Sequence, residues 1–380
     1  MSEFSAVDAA MMARALKLAE KGRFTTSPNP RVGCVITKDG QIIGEGYHQK
    51  AGEPHAEVFA LRMAGDNAKG ATAYVTLEPC SHHGRTPPCA EALIKAGVAR
   101  VVAAIQDPFH KVAGTGLQLL RDAGIEVECG LLENEAHELN KGFIKVVQQG
   151  LPWVTAKMAT SLDGKTALAN GVSQWITGPD ARSDVQRHRA QSCAILTGSG
   201  TVLADDPSLN VRYSELGQAQ EELAEDKVRQ PLRVIIDSKN QLHNKLRIFQ
   251  IPGDVLVVNL SHNTQIPEHV AQWQAPMYKG KVDLRETLKE LAEEHINWVW
   301  VEAGANMLGA MMQQQLVDEV IYYIAPKLLG NPSQGSLEIP EIEAMDQAYE
   351  LNWTDLRMVG NDIKITAGVR YPEVADESSR

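Results

Sequence analysis

Two stretches decide the fold of this 380-residue chain: E-P-H-A-E-V-F at 53–59 and T-L-E-P-C-S-H-H-G-R-T-P-P-C at 76–89. His55 and Glu57 follow Pro54 and open an apolar-periodic run through Val58, Phe59, Leu61 and Met63, so a helix N-terminus is expected to carry both side chains. Residues 72–77 read as a buried strand. Cys80 follows that strand on a proline-bounded turn, and Cys89 follows Pro87 and Pro88 at the start of another apolar-periodic helix. One imidazole and two sulfurs, carried by two helix starts and the loop between them, can converge on one point.

That donor set suits zinc. Three protein ligands of mixed N and S type leave a fourth tetrahedral position for water, which is the catalytic pattern. Thiolates are further favoured where aligned peptide dipoles meet at a helix N-terminus. Zinc bound there lowers the pKa of a coordinated water to about 7. Glu57 is placed to take that water's proton and hand it on. Either half of the pattern alone reads equally as a core histidine or a pair of inert thiols. The two halves together favour the metal.

Composition narrows the chemistry further. An apolar content of 43% and a mean hydropathy of -0.23 describe a globular chain, and its length suits two domains. No apolar run approaches the length of a membrane span, and the start M-S-E-F-S-A-V-D lacks the layout of a signal peptide. Cys34, Cys129 and Cys193 lie in apolar runs and read as free, buried thiols, which points to a reducing cytoplasm. The net charge is -11, with 16 Lys+Arg against 17 Asp+Glu in residues 1–150 and 21 against 31 in the rest. Neither half offers the basic surface that a polynucleotide needs, so a small-molecule substrate is expected, with no nucleic acid and no membrane.

Strand and helix alternate along the chain, as in α/β layer folds. Helices are expected at 7–21, from 54, and at 88–96, 114–123 and 132–147; strands at 32–37, 41–46, 72–77, 99–105 and 125–128, the first two joined by a type I′ turn at Asp39 and Gly40. Residues 148–152 read as a linker. Beyond it come strand candidates at 153–158, 194–197, 233–237, 255–259, 298–301 and 319–325, with helices near 179–190, 283–294 and 306–316. The acidic stretch 214–227 reads as an exposed excursion, and 373–380 as a disordered tail. The second half has no G-x-G-x-x-G; its weak phosphate-site candidates are the turn from Gly304 to Ala310 and T-G-S-G-T at 197–201.

The first motif pair resembles the H-x-E…P-C-x-x-C signature of zinc-dependent nucleobase deaminases, in which the glutamate shuttles protons and is not a ligand. Here eight residues separate Cys80 from Cys89. That spacing, with the insert S-H-H-G-R-T-P-P, resembles the pyrimidine deaminases of riboflavin biosynthesis. T-S-P-N-P-R-V-G-C-V-I (26–36), V-A-G-T-G (112–116), S-L-D-G-K (161–165), S-Q-W-I-T-G (173–178), L-A-D-D-P-S-L-N-V-R (203–212) and V-E-A-G-A-N-M-L (301–308) extend the likeness over nearly the whole chain. The chain is thus similar to the bifunctional deaminase-reductases of that pathway.

The resemblance implies a cytidine-deaminase-like three-layer α/β domain over 1–148 and a dihydrofolate-reductase-like α/β domain over 149–372. It implies one Zn²⁺ on His55, Cys80 and Cys89 with Glu57 as proton carrier. Asn29, whose loop is stiffened by Pro28 and Pro30, and His82 would line the pyrimidine pocket, while Arg85 would meet the substrate phosphate. The family's D-P-N-P is D-P-F-H here, so Phe109 and His110 replace a pocket Asn and a Pro, and altered substrate contacts are expected at that edge. In the second domain NADPH would face Ala159, Trp175, Thr201, Asp205, Ser238 and the turn Gly304, Ala305, Asn306, Met307, Leu308, Gly309, Ala310. The phosphorylated sugar would face Ser173, Arg189, Leu209, Arg212 and Glu302, with Lys157 polarising the sugar or its phosphate. Glu302 is the acid nearest the substrate for the proton that accompanies hydride transfer. Members of the family are homo-oligomers, so a dimer or tetramer is expected. Two rival readings stay open at this point: a nucleic-acid deaminase with an accessory domain, and a metal-stabilised binding module without turnover.

Overall fold

The computed structural model describes residues 4–81, 88–109 and 113–372. It divides into two compact units, Met1–Leu151 and Pro152–Arg380. No helix among the described residues is long and apolar enough to cross a membrane.

The first unit runs α1 (Ala6–Ala19), β1 (Gly33–Lys38), β2 (Gln41–Tyr47), α2 (Ala56–Ala64), β3 (Thr72–Val75), α3 (Cys89–Ala96), β4 (Arg100–Ala103), α4 (Thr115–Asp122), β5 (Glu126–Cys129) and α5 (Glu133–Gln149). Its sheet has the order β2-β1-β3-β4-β5, antiparallel at β2, β1 and β3 and parallel from β3 to β5. Strand periodicity divides the side chains between two cores. Cys34, Ile36, Ala73, Val75 and Val101 pack against α2, α3 and α4 on one face; Val35, Tyr74 and Val102 pack against α1 and α5 on the other. The result is three layers, helix on sheet on helix. Two glycines let the helices lie close on the sheet: a Cβ at Gly33 would sit 1.9 Å from the Ala15 carbonyl oxygen, and one at Gly44 2.2 Å from that of Ala60. The second contact fixes the height of α2, the helix that begins at His55.

The second unit contains β6 (Trp153–Ser161), β7 (Lys165–Ala167), α6 (Pro179–Gln191), β8 (Ala194–Gly198), α7 (Ser199–Asp205), β9 (Leu232–Asp237), β10 (Val255–Asn259), β11 (Ala271–Gln274), β12 (Met277–Tyr278), β13 (Lys281–Val282), α8 (Leu284–Glu293), β14 (Trp298–Val301), α9 (Ala305–Gln313), β15 (Glu319–Ala325), β16 (Gln334–Gly335), β17 (Glu350–Val359) and β18 (Asp362–Arg370). Nine strands form one sheet in the order β11-β10-β9-β8-β14-β6-β15-β18-β17, parallel from β11 to β15 and closed by an antiparallel β18–β17 hairpin. The central strands are buried along almost their whole length, as parallel strands covered on both faces must be.

Three sequence expectations change. The β17–β18 hairpin was not foreseen, because a bulge between Trp353 and Asp355 breaks the alternation that would mark β17. The stretch 214–227 is not simply exposed: it forms short 3-10 turns that bury Leu216, Ala219 and Leu223. Cys129 is exposed, not buried. The expected tail at 373–380 lies outside the described residues.

Asp8 ties two layers of the first unit together. It forms a capping box with Ser5 at the start of α1, and its other oxygen accepts from Tyr74 Oη at 2.7 Å and Arg100 Nη1 at 2.6 Å. Arg100, the first cause, holds this carboxyl well below the usual carboxylate range. A depressed folded-state pKa means stability that is present above the unfolded value of about 3.9 and is lost as pH falls below it. Asp8→Asn should therefore cost about 2 kcal/mol at neutral pH. The gap between variant and parent, measured by urea unfolding, should narrow as the pH is lowered below about 4.

Candidate active sites

His55 is the N-cap of α2, with extended backbone angles and no side-chain capping bond, so its ring is turned to other work. Cys89 is the first residue of α3, and its N–H donates to Cys80 Sγ at 3.2 Å. His55 Nδ1 lies 3.6 Å from Cys80 Sγ and 3.4 Å from Cys89 Sγ, and the three donor atoms fall within 4.8 Å of one another. A tetrahedral zinc with its usual bond lengths has N···S edges of about 3.6 Å. The donor set therefore fits the metal in both chemistry and spacing. Among the described residues this is the one group of three or more His, Cys, Asp or Glu donors so arranged. Glu57 is 3% exposed, and its Oε2 has no hydrogen-bond partner among the described residues. A buried, unsatisfied carboxylate oxygen is costly unless a ligand completes it.

The electrostatics of the cluster follow from its packing. Cys80 is drawn down to about 4, first by the hydrogen bond from Cys89 and then by His55, against the opposing effect of burial; Cys89 is pushed up, first by that same hydrogen bond to Cys80 and then by burial. His55 is raised, chiefly through its bond to Cys80, and Glu57 is raised by burial. Burial thus leaves Glu57 a carboxyl that holds a proton more readily than an exposed one.

Asn29 is held by a residue that sequence reasoning passed over. His48 is buried, and its Nδ1 lies 3.1 Å from the Pro54 carbonyl oxygen while its Nε2 lies 3.1 Å from Asn29 Nδ2. A carbonyl only accepts, so Nδ1 bears the proton and Nε2 accepts from the amide. Burial lowers the pKa of His48, in keeping with this neutral form. A lone histidine at the end of a strand carries no spacing signal that would have singled it out. Glu78 was likewise passed over. Its buried carboxylate accepts from the backbone N–H groups of Asp107 (3.0 Å), Gly114 (2.9 Å), Gly116 (2.8 Å) and Leu117 (3.3 Å), binding the turn before Cys80 to the loop that opens α4. Phe109 is 40% exposed on that loop. His82, Arg85 and His110 lie outside the described residues.

In the second unit a cleft of about 2140 Å³ opens beyond the carboxyl ends of β8, β9 and β14, where open parallel sheets bind ligands. Lys157, Ala159, Ser173, Trp175, Arg189, Thr201, Asp205, Leu209, Arg212, Ser238 and Glu302 all line it, as do Gly304 to Leu308 and Ala310. Gly309 does not. A Cβ there would meet the Glu338 carbonyl oxygen at 1.9 Å, so this glycine serves the packing of the 338 segment on α9. Trp175 is 64% exposed, with the Arg182 guanidinium 4.6 Å from its ring centre.

Arg189 and Glu302 form a two-pronged pair (Nε–Oε1 2.6 Å, Nη2–Oε2 2.9 Å), and Trp300 Nε1 donates to the same carboxylate at 2.8 Å. Burial would raise the pKa of Glu302, but Arg189 outweighs it and holds the group at about 2. Paired in this way, Glu302 is held as a carboxylate between Arg189 and Lys157. Lys157 is lowered by burial and Asp205 raised by it. Arg212 pairs with Glu215 at 2.6 and 2.7 Å in a half-exposed setting. Behind the cleft, Lys364 on β18 reaches Asp184 (2.6 Å) and His188 (2.7 Å) on α6, and the His188 ring stacks on Trp300 at 4.8 Å.

These two sites define a zinc deaminase centre and a nucleotide-binding reductase cleft on one chain. Comparison with known proteins agrees. Residues 5–105 match the family described as the cytidine and deoxycytidylate deaminase zinc-binding region, and residues 152–365 match the RibD C-terminal domain. The riboflavin biosynthesis protein RibD of Escherichia coli K12 is 56% identical over 354 residues, covering 93% of this chain and 96% of that protein. Its Haemophilus influenzae counterpart is 52% identical over 369 residues, covering 96% and 98%. Among solved structures, Acinetobacter baumannii RibD superposes with a TM-score of 0.89 at 46% identity, covering 96% of this chain and 99% of that one. A Thermotoga maritima deaminase/reductase gives 0.84 at 34% identity, covering 95% and 98%. The chain belongs to the RibD family, the bifunctional deaminase-reductases of riboflavin biosynthesis, with zinc and NADPH as cofactors.

Replacing a metal donor should separate the two units. His55→Ala should reduce bound zinc from about one equivalent per chain to a small fraction of that, read by elemental analysis. NADPH-dependent reduction of the deaminated substrate should stay close to the parent rate.

Proposed function

We propose that the first unit deaminates 2,5-diamino-6-(5-phosphoribosylamino)pyrimidin-4(3H)-one and the second reduces the product, 5-amino-6-(5-phosphoribosylamino)uracil, to 5-amino-6-(5-phosphoribitylamino)uracil. The observation that carries this reading is the His55, Cys80 and Cys89 cluster beside Glu57, whose Oε2 has no hydrogen-bond partner among the described residues, on the same chain as a cleft at the ends of parallel strands. The names of the T. maritima structure's two activities support the choice of substrates.

In the deaminase, zinc supplies an acidified water at neutral pH. Glu57 would take one proton from that water as its oxygen bonds to the amine-bearing carbon and pass it to the adjacent ring nitrogen. It would then take the remaining proton from the same oxygen and pass it to the amine, which leaves as ammonia as the C–N bond breaks and the carbonyl forms. Its burial suits this relay, because a desolvated carboxyl releases and regains a proton near neutral pH more easily than an exposed one. Asn29 meets an edge of the base, and since His48 engages its Nδ2, its Oδ1 is the atom left to accept from the pyrimidine. His82 and Arg85 belong to the same pocket by resemblance.

In the reductase, NADPH would supply the hydride that turns the ribosyl group into ribityl, and Glu302 would relay the accompanying proton from solvent. The first turn of α9, from Gly304, presents backbone N–H groups to its phosphates. Arg212 exchanges Glu215 for the sugar phosphate, a change its half-exposed position allows. Arg189 and Glu302 hold each other rigid beneath the sugar, with Lys157 next to them as the polarising cation. The same reading places the enzyme in the cytoplasm as a homo-oligomer. Trp353, Leu356 and Met358, each more than 60% exposed on the edge strand β17, support self-association.

Glu57→Gln should keep its zinc yet lose deamination by about 10²-fold or more, measured as ammonia release. For the parent enzyme, NADPH oxidation after addition of the diaminopyrimidine should show a lag that shortens when the deaminated intermediate is supplied. Oxidation without a lag would reverse the assigned order of the two steps.

A further inference from the structure

Lys364 lies on β18, is 1% exposed, and is none of the groups that face the cleft. Burying an ammonium is costly, and a buried ion pair can often be exchanged for apolar groups of similar volume with no loss of stability. Fastening α6 to the β17–β18 hairpin does not call for it either. Asp362 Oδ2 already accepts from the N–H of Gly178, the N-cap of α6, at 2.7 Å. A Cβ at Gly360 would lie 2.2 Å from Asp180 Oδ2, on the first turn of the same helix. The hairpin therefore closes on the start of α6 without the lysine. What the lysine adds is a path to the cleft.

Lys364 Nζ donates to Asp184 Oδ2 at 2.6 Å and to His188 Nε2 at 2.7 Å. An ammonium has no lone pair to offer, so Nε2 is the accepting nitrogen and His188 is the neutral ring with its proton on Nδ1. Burial lowers the pKa of His188, in keeping with this form. Asp184 is held from two further sides: Tyr323 Oη donates to its Oδ2 at 2.6 Å and Arg187 Nη2 to its Oδ1 at 2.8 Å. The imidazole so fixed lies flat on the Trp300 indole, with ring centres 4.8 Å apart and planes 3° from parallel. Trp300 Nε1 in turn donates to Glu302 Oε1 at 2.8 Å, the oxygen that also accepts from Arg189 Nε at 2.6 Å. In the sheet β18 and β14 are separated by β15 and β6, so backbone pairing does not link Lys364 to Trp300. The connection runs across the face of the sheet, from ammonium to imidazole to indole to carboxylate.

We infer that Lys364 and His188 are positioning residues of the reductase, which fix the tilt of the Trp300 indole and through it the place of the Glu302 carboxylate in the cleft. This rests on the reading of Glu302 as the relay for the proton that accompanies hydride transfer. Arg189 grips that carboxylate from α6, and the indole N–H grips it from β14, the strand that leads into Glu302. Two holds from two elements fix both the position and the tilt of the group. The indole is the weaker of them, because its terminal torsion is broad and a hydrogen bond fades steeply away from linearity. A flat ring pressed on its face removes that freedom. The imidazole is needed for its planarity and its set orientation, and Lys364 with Asp184 supplies the second.

The test uses the full-length enzyme carrying His188→Leu, His188→Phe or Lys364→Met, with Glu302→Gln as the reference. Reduction of the deaminated substrate gives kcat and the KM values for that substrate and for NADPH. His188→Leu and Lys364→Met should lower kcat on the order of tenfold and leave both KM values within about twofold. His188→Phe keeps a flat ring on the indole and should hold kcat within about twofold of the parent. A crystal structure of His188→Leu should show Trp300 Nε1 withdrawn from Glu302, beyond about 3.5 Å. Equal kcat in the leucine and phenylalanine variants overturns the proposal, since filling space would then be all that His188 does. So does a fall in kcat with the indole bond intact, or a loss that appears in KM alone. Should Lys364→Met fail to fold because Asp184 is left buried and charged, the double variant D184N/K364M removes both charges and is read the same way. Parent-like kcat in Glu302→Gln would instead remove the proton-relay reading on which the proposal rests.

Discussion

The first unit is governed by one geometric demand: a nitrogen and two sulfurs from separate chain segments have to meet within a zinc ion's reach. His55 reaches the point from the start of α2, Cys89 from the start of α3, and Cys80 from the turn between them. None of these segments can shift by an ångström without opening the cluster. The rest of the unit reads as support for that tolerance. Gly44 lets α2 lie directly on β2, and Glu78 fastens the Cys80 turn to the loop before α4. His48 clamps Asn29 to the Pro54 carbonyl just ahead of His55. Positioning groups of this kind matter because reacting atoms misplaced by about 1 Å can cost orders of magnitude in rate.

The second unit meets a comparable demand by another route. Ser199, Ser238 and Glu302 of its cleft wall stand just past the ends of the adjacent parallel strands β8, β9 and β14, so their spacing is set by the 4.7–4.9 Å strand separation typical of sheets. Charge is then held in place by buried pairs. Glu302 is locked by Arg189 and Trp300, and α6, which carries Arg189, is tied to β18 through Asp184, His188 and Lys364. A lysine that is 1% exposed in a sheet is an expensive feature, stable here because a carboxylate and an imidazole both accept from it.

Much of this was legible in the sequence, and the reasons can be stated. H-x-E and P-C at helix starts have meaning through their spacing, and alternating apolar runs mark the layers. The cleft residues were legible only through resemblance, since a small-residue turn such as that at Gly304 is common in strand-to-helix connections that bind nothing. Groups that act through three-dimensional neighbours were not legible at all. His48, Glu78 and Lys364 look like ordinary surface residues until the fold places partners up to 180 positions away beside them. The bulge at Trp353 hid a whole hairpin for the opposite reason, by breaking a local pattern that was otherwise present.

The Glu78 arrangement bears on how the first unit breathes. Amides at Asp107, Gly114, Gly116 and Leu117 belong to a connecting loop and the first turn of a helix, where solvent isotope exchange is ordinarily fast. All four share one carboxylate, so release of that side chain frees them together. The event that frees them also unfastens the backbone leading into Cys80. Slow deuterium uptake at this loop would thus keep time with the opening of the metal centre itself.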